Sequence, residues 1–396
     1  MAKNTHLEHL EDDIFNQGSA GATNALNFLK SLRDMLSDNT GGGNVRVTTK
    51  WDGAPAIICG KNPANGKFFV GTKSVFNKVD PKIVYTASDA DRFYGGSTVG
   101  LILKKCLEYL KQLPIEGVLQ GDLLYDKTPN LISQDKKPHY RFKPNTITYT
   151  IPKYTPLGAR VGASKLGIVF HTTYNGNSMS ELAAGFGCDV SGLQGVRSVA
   201  VFSSDFVNIN GMANLSQSEK NILNAAIVKS TRSLASGRGF IDGIQGGKGP
   251  FTIPALFKVY FNSVVRSGIV PTPEAMGKGF QGFVTNKYNA EIEKKKTLKS
   301  KADWGLKKRD ALKYLNTNRS SMINALTGFK SLMDAKTIII SKLTRIKSVG
   351  TFLETEDGMK ATSPEGFVAI KDGAALKLVD RLEFSRANFT AAKDWS

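Results

Sequence analysis

The tetrapeptide Lys50-Trp51-Asp52-Gly53 sets a lysine amine, a potential nucleophile, beside a carboxylate and a flexible glycine. Before it, Val45-Arg46-Val47-Thr48-Thr49 alternates with β-branched residues and predicts a strand. After it, Ala54-Pro55-Ala56-Ile57-Ile58-Cys59 predicts a second, apolar strand, ended by Gly60-Lys61-Asn62-Pro63. Lys50 is therefore expected at a strand end or turn, where side chains meet ligands. Alone, the same four residues also describe a solvated hairpin, so the chemistry depends on what other segments bring.

Those segments lie along a chain of mixed texture. Residues 7–38 predict a helix, with Leu26, Phe28, Leu29, Leu32 and Leu36 on a stripe broken by Gly41-Gly42-Gly43. Short β-type runs fill 45–85, and Leu101, Leu103, Leu107, Leu110 and Leu113 mark an amphipathic helix over 97–113, stopped by Pro114. Further strands are expected at 117–125, 140–151, 165–174 and 196–202. Helices are expected near 216–236, 252–266, 284–298 and 304–346. The glycine-rich stretch 237–249 lacks phosphate-loop spacing and predicts a loop or hinge. A hairpin about Asp372-Gly373 is expected to join 366–371 to 374–379.

Composition narrows the class. A chain of 396 residues with 41% hydrophobic content can build large cores. No apolar run is long enough for a membrane span, and the first residues carry no apolar leader. Cys59, Cys106 and Cys188 lie far apart, without metal spacing, which predicts a reducing, cytoplasmic setting. The net charge of +19 suits a partner with phosphate groups, nucleic acid first, although membrane headgroups and acidic proteins would serve equally on charge alone.

Four further segments complete an ordered set with the tetrapeptide: Gly71-Thr72-Lys73-Ser74, Gln120-Gly121-Asp122-Leu123, Ile168-Val169-Phe170-His171, and Pro364-Glu365-Gly366-Phe367-Val368 with Leu376-Lys377-Leu378. In this order they resemble the motifs of the covalent nucleotidyltransferases, the ATP-dependent DNA and RNA ligases and mRNA capping enzymes. The resemblance covers about residues 45–175 and 361–380. The wider texture is similar to that of bacteriophage RNA-ligase-like proteins, which would place the protein in host cytoplasm.

The resemblance implies that Lys50 attacks an α-phosphate and carries AMP as a phosphoramidate. It implies Lys377 as a second catalytic cation on phosphate, and Lys73 as a contact to a donor or acceptor phosphate. Asp122 and Glu365 are expected to hold Mg²⁺ or ribose hydroxyls, Phe170 to stack on the base, and Gly53 to admit the ribose. Thr49 and Asp52 complete the expected nucleotide site, with ATP and Mg²⁺ as cofactors. Other readings stand beside these: Lys377 as an exposed strand lysine, Phe170 as core, Asp122 as a structural pair, and Arg141, Lys143 and Asn145 as phosphate contacts or solvated charges.

Three residues depart from the family pattern. Thr49 stands where many members carry glutamate, Asp122 where glutamate is commoner, and Val379 where a second lysine is usual; Lys371 is a candidate replacement for that lysine. The expected fold class is α+β, a nucleotidyltransferase core (of the ATP-grasp-like ligase adenylation type) of twisted antiparallel sheets. Residues 1–42 would be a helical segment packed on that core, with 43–178 and 356–396 as the core. A basic, mostly helical insertion would occupy 179–355, and no C-terminal OB domain is expected. Lys294, Lys295, Lys296, Lys307, Lys308 and Arg309 in the insertion are the expected nucleic-acid contacts. The function so implied is a polynucleotide ligase, RNA before DNA. The alternatives are a binding or virion protein that has lost catalysis, and a transferase with a non-nucleic-acid acceptor.

Overall fold

The structure, a computed structural model, describes residues 7–37, 45–205, 214–345, 350–355, 358–361 and 365–382. It is of the α+β class. Its contacts divide the chain into two compact units. Among the described residues, one unit takes 46–205 and 350–375, and the other takes 8–45, 214–345 and 376–382.

In chain order, β1 (Glu8–His9) and α1 (Asp13–Met35) come first. Next are β2 (Arg46–Lys50), β3 (Ala56–Lys61), β4 (Phe68–Gly71), α2 (Ala87–Tyr94) and α3 (Thr98–Leu110). Then come β5 (Val118–Tyr125), β6 (Asn130–Gln134), β7 (Lys137–Phe142), β8 (Ile147–Pro152) and α4 (Pro156–Ala163). The strands β9 (Leu166–Asn175), β10 (Ala183–Phe186) and β11 (Val199–Phe202) follow. The helices α5 (Gln217–Ser236), α6 (Arg238–Gly243), α7 (Ile253–Ser267), α8 (Pro273–Glu293), α9 (Leu298–Thr317) and α10 (Arg319–Leu343) precede the last strands. These are β12 (Gly350–Thr355), β13 (Gly358–Ala361), β14 (Gly366–Lys371) and β15 (Ala374–Leu378).

The first unit is built on a six-stranded sheet of order β10-β9-β5-β3-β4, with β11 parallel to β9. Alternation along its strands sorts two faces. Ile57, Cys59, Leu119, Leu123, Ile168 and Phe170 form one buried layer, into which α3 inserts Leu103, Cys106 and Leu110. That spacing of three and four residues is one helix face, and each such leucine buried is worth about 1.5–3 kcal/mol. Ser97 starts α3 by accepting from the Gly100 amide. Ile58, Val118 and Tyr174 make a smaller cluster on the other face. A five-stranded sheet, β13-β12-β8-β7-β6, and the antiparallel pair β2–β14 complete this unit.

The second unit is helical, and its core is aromatic. Phe15 stacks on Phe257 at 4.0 Å between centroids, and Phe329 meets Phe261 edge-on at 4.7 Å. A buried ionic cluster sits beside it: Lys336 donates to both Glu11 oxygens at 2.7 and 2.8 Å, and Arg381 pairs with Asp12 at 2.7 Å. Each carboxylate there has a cationic partner, as burial demands. Here β1 runs parallel to β15, with Glu8 opposite Leu376 and His9 opposite Lys377. No described helix is long and apolar enough to cross a membrane.

The expected boundaries shift in two places. Helix α1 packs with α5, α6 and α10 and so belongs with the helical unit, not with the strand-rich core. Residues 179–205 belong with the strands, because β10 and β11 both pair with β9. The glycine-rich stretch is not simply a loop: it contains α6, and a Cβ on Gly237 would lie 2.6 Å from the Ala325 amide nitrogen. Its glycine serves close helix approach. Pro364 and residues 383–396, which the expected core included, lie outside the described residues.

Candidate active site around Lys50

Lys50 ends β2, where the antiparallel register sets it opposite Gly366 and so beside Glu365. Its Nζ makes an ion pair with Glu365 Oε1. Neither is fully exposed, at 27% and 14% of side-chain surface. Burial pushes the Glu365 carboxyl above its ordinary range, and the charges of Asp52 and Asp122 push the same way against the pull of Lys50.

Trp51 wedges the turn in place. Its ring lies 4.9 Å from that of Tyr149 and 5.1 Å from that of Phe202. Asp52 is buried and nearly saturated: it accepts from Asn145 Nδ2 at 2.8 Å and from the Thr146 and Ile147 amides at 2.7 and 2.8 Å. Its own amide donates to the Tyr149 hydroxyl at 2.7 Å. Asp52 therefore fastens the turn that carries Lys50 to the β7–β8 connection, which corrects the expectation that it binds nucleotide.

Gly53 brings the turn onto β5. A Cβ there would lie 2.6 Å from the Cβ of Asp122 and 3.0 Å from the Leu123 carbonyl oxygen. Only a glycine permits this approach. Its demonstrated neighbour is thus Asp122. The carboxylate of Asp122 lies 3.4 Å from His171 Nε2, and His171 Nδ1 lies 2.8 Å from Thr172 Oγ1. The ladder pairs Gln120 with Thr172 and Gly121 with Phe170, leaving His171 as an extra, bulged residue that turns toward Asp122. No local motif announces that bulge, and Tyr149 was equally unmarked.

The other expected residues have different surroundings. Lys73 is exposed at the start of a 3₁₀ turn, Lys73–Phe76. Since Gly71 faces Ile58 and Asp122 faces Ala56 across β3, the chain leaves β4 toward the Asp122 end of the sheet. Thr49 is pinned by its amide to the Ser204 carbonyl at 2.6 Å and lies opposite Phe367. Phe170 is fully buried in the α3-facing core, so it offers no face to a base; the alternation with Ile168 carries it inward. Lys371 lies five residues beyond Gly366 along β14, about 17 Å away at strand rise. It pairs with Asp372 at 3.3 Å, so it does not replace the missing lysine near Glu365. Lys377 lies on β15 opposite His9, and its charge acts on the His9 imidazole.

Among the described residues, no group of three or more His, Cys, Asp or Glu side chains is placed to hold a metal. In the helical unit, Lys295 and Lys307 flank the Trp304 ring at 4.8 and 4.7 Å. Lys294 and Lys295 pair with Glu291, Lys308 donates to Asn289 at 2.7 Å, and Arg309 pairs with Asp310 at 3.1 Å. Lys296 is exposed. No curated protein and no solved structure matches the chain. Its sequence, over residues 4–393, belongs to the family of unknown function DUF6267.

Proposed function

We propose that this protein is a covalent lysine nucleotidyltransferase that works as an ATP-dependent polynucleotide ligase, on RNA before DNA. The observation that carries the reading is the contact between the Lys50 amine and the partly buried Glu365 carboxylate, with Asp122 brought alongside through Gly53. These groups come from three distant stretches of chain, as the motif order led one to expect.

In this reading, the Lys50 Nζ gives its proton to Glu365 and attacks the α-phosphorus of ATP. The N–P bond forms as the bond to pyrophosphate breaks. A 5′-phosphate oxygen then takes the AMP from Lys50, and a 3′-hydroxyl displaces AMP to seal the strand. Lys73, exposed at the same end of the sheet, is the candidate cation for the leaving phosphates. Asp122, with substrate oxygens and water, would suit Mg²⁺, which would neutralise the phosphates. The strand-rich unit is read as the nucleotidyltransferase core, and the cationic α8–α9 hairpin as a clamp for the strand.

One observation favours a second reading, a nucleic-acid-binding protein that keeps the fold without catalysis. Phe170 is core, so one expected contact to the nucleotide is unfilled. Incubation with α-labelled ATP and Mg²⁺, then denaturing electrophoresis, separates the two. The ligase reading expects a covalent adduct on the wild type, none on Lys50→Ala, and discharge by 5′-phosphorylated RNA. A wild type unlabelled by ATP, GTP or NAD would sink it.

A further inference from the structure

Asp122 has a neighbour besides the turn of Lys50, and that neighbour is an imidazole. His171 Nε2 lies 3.4 Å from Asp122 Oδ2, and the other ring nitrogen, Nδ1, lies 2.8 Å from Thr172 Oγ1. Imidazole and carboxylate are both partly open to solvent, at 30% and 21% of side-chain surface, while Thr172 is buried.

The backbone holds His171 in this place. Pairing slips from Gln120–Thr172 to Gly121–Phe170, so His171 drops out of the ladder between β5 and β9. Gly121 lets the two strands close over the slip: a Cβ there would lie 2.5 Å from the Val169 carbonyl oxygen and 2.8 Å from Phe170 Cδ1. The Gly187 amide, donating to the His171 carbonyl at 2.9 Å, fixes the bulged residue from the other side. A bulge of this kind re-aims one side chain, here the imidazole toward a carboxylate on the neighbouring strand.

The spacing bears on what the pair can hold. An imidazole N–H bonded to a carboxylate draws the two heavy atoms to about 2.7–2.9 Å, closer than they stand here. Two ligand atoms, each about 2.1 Å from one ion, are about 3.0 Å apart on an octahedral ion and about 3.4 Å apart on a tetrahedral one. With the ring proton on Nδ1 and donated to Thr172 Oγ1, Nε2 turns its lone pair to the carboxylate. Two acceptors then face one gap, which a cation would bridge. An oxygen partner on the far ring nitrogen is the usual companion of a ligating histidine.

The nitrogen ligand also selects the ion. Mg²⁺ takes oxygen ligands, whereas imidazole suits the divalent transition metals. Among the described residues no third His, Cys, Asp or Glu completes a protein cage. Two protein ligands leave the remaining positions to water or to phosphate oxygens, as cations that accompany nucleotides require.

We propose that Asp122 and His171 bind a divalent transition-metal cation in preference to Mg²⁺, with Thr172 fixing the imidazole. That the ion serves a nucleotide's phosphates rests on the function proposed above; the metal site itself does not.

The test is titration of Mn²⁺ alone into the full chain, without nucleotide, followed by loss of the free-ion signal in electron paramagnetic resonance. Asp122→Asn, His171→Ala and Thr172→Val, the last nearly unchanged in shape, are each expected to bind Mn²⁺ about tenfold or more weakly than wild type. Thermal melting verifies that each variant folds. Zn²⁺ should displace the bound Mn²⁺ at a concentration at least about tenfold below that needed of Mg²⁺. Equal Mn²⁺ binding by wild type and all three variants would overturn the proposal and leave Asp122 and His171 as an ion pair only. Displacement by Mg²⁺ as readily as by Zn²⁺ would overturn it too, since the imidazole would then not be a ligand. Because no nucleotide is present, failure of Lys50 to take label leaves this result standing. A chain that takes label with Mg²⁺ yet binds no Mn²⁺ here would lose the metal site and keep the ligase reading.

Discussion

The Cβ that Gly53 lacks would sit 2.6 Å from the Cβ of Asp122, well inside contact distance. Two segments about 70 positions apart in sequence are thus fitted together by the absence of one methyl group. The turn that carries Lys50 gains its depth against β5 from this, and Asp122 gains its place beside that turn.

Gly53→Ala is accordingly expected to push β5 and the turn apart. The neighbours are a Cβ on a strand and a backbone carbonyl, neither of which can swing aside. The cost in stability should be about 1–3 kcal/mol, in the range of overpacked sites. Under the proposed function, label on Lys50 should fall at least about tenfold while circular dichroism at 25 °C keeps its shape; each tenfold is about 1.4 kcal/mol of barrier. Full labelling with unchanged melting would show that the contact has no consequence.

Much of this site could be read from local pattern, and the failures share a cause. Alternation over 45–49 is enough to place Lys50 at a strand end, and Asp372-Gly373 does form the turn between β14 and β15. Alternation also held the fate of Phe170, which shares a face with Ile168 and must go where that face goes. The role of Asp52 was not legible, because its partners lie 93–97 positions away and only the folded β7–β8 connection presents their amides. The same holds for His171, which faces Asp122 through a one-residue irregularity in pairing. The short strands β12 and β13 have no extended apolar run to announce them; β12 is set by its ladder with β8, and β13 by its ladder with β12.

Glu365 offers a kinetic test of its contact with Lys50. Burial first, then the charges of Asp52 and Asp122, raise its carboxyl above the usual 4.5, while Lys50 pulls it back. If Glu365 accepts the amine's proton, wild-type labelling declines as pH falls through that raised value, where the carboxylate becomes neutral. Glu365→Gln should slow single-turnover labelling about 10²–10⁴-fold at neutral pH, the usual worth of a positioned base. Raising the pH should restore much of the rate, because solvent can then remove the proton. A deficit that stays constant to pH 10 would assign Glu365 to ligand or metal binding instead.

Glu219 supplies a stability test in the helical unit, independent of any activity. It is the third residue of α5, where it accepts from the Ser216 amide at 2.7 Å while Ser216 Oγ caps the Glu219 amide at 3.3 Å. Lys342, almost wholly buried, reaches it at 2.5 Å, and Arg345 lies 3.6 Å away. The hydrogen bond from Lys342, helped by those from Ser216, lowers the Glu219 carboxyl to about 2. A carboxyl lowered on folding stabilises above its unfolded value, near 4.5, and that stabilisation is lost as pH falls from there toward 2. Glu219→Gln keeps an oxygen for the Ser216 amide but removes the charge facing Lys342. With allowance for solvent screening, it should cost about 1–2 kcal/mol at pH 7. Thermal melting of the full chain from pH 7 down to pH 2 should show the gap between variant and wild type narrowing below about pH 4.5. A gap that persists unchanged to pH 2 would mean that the cap, and not the ion pair, carries the contribution of Glu219.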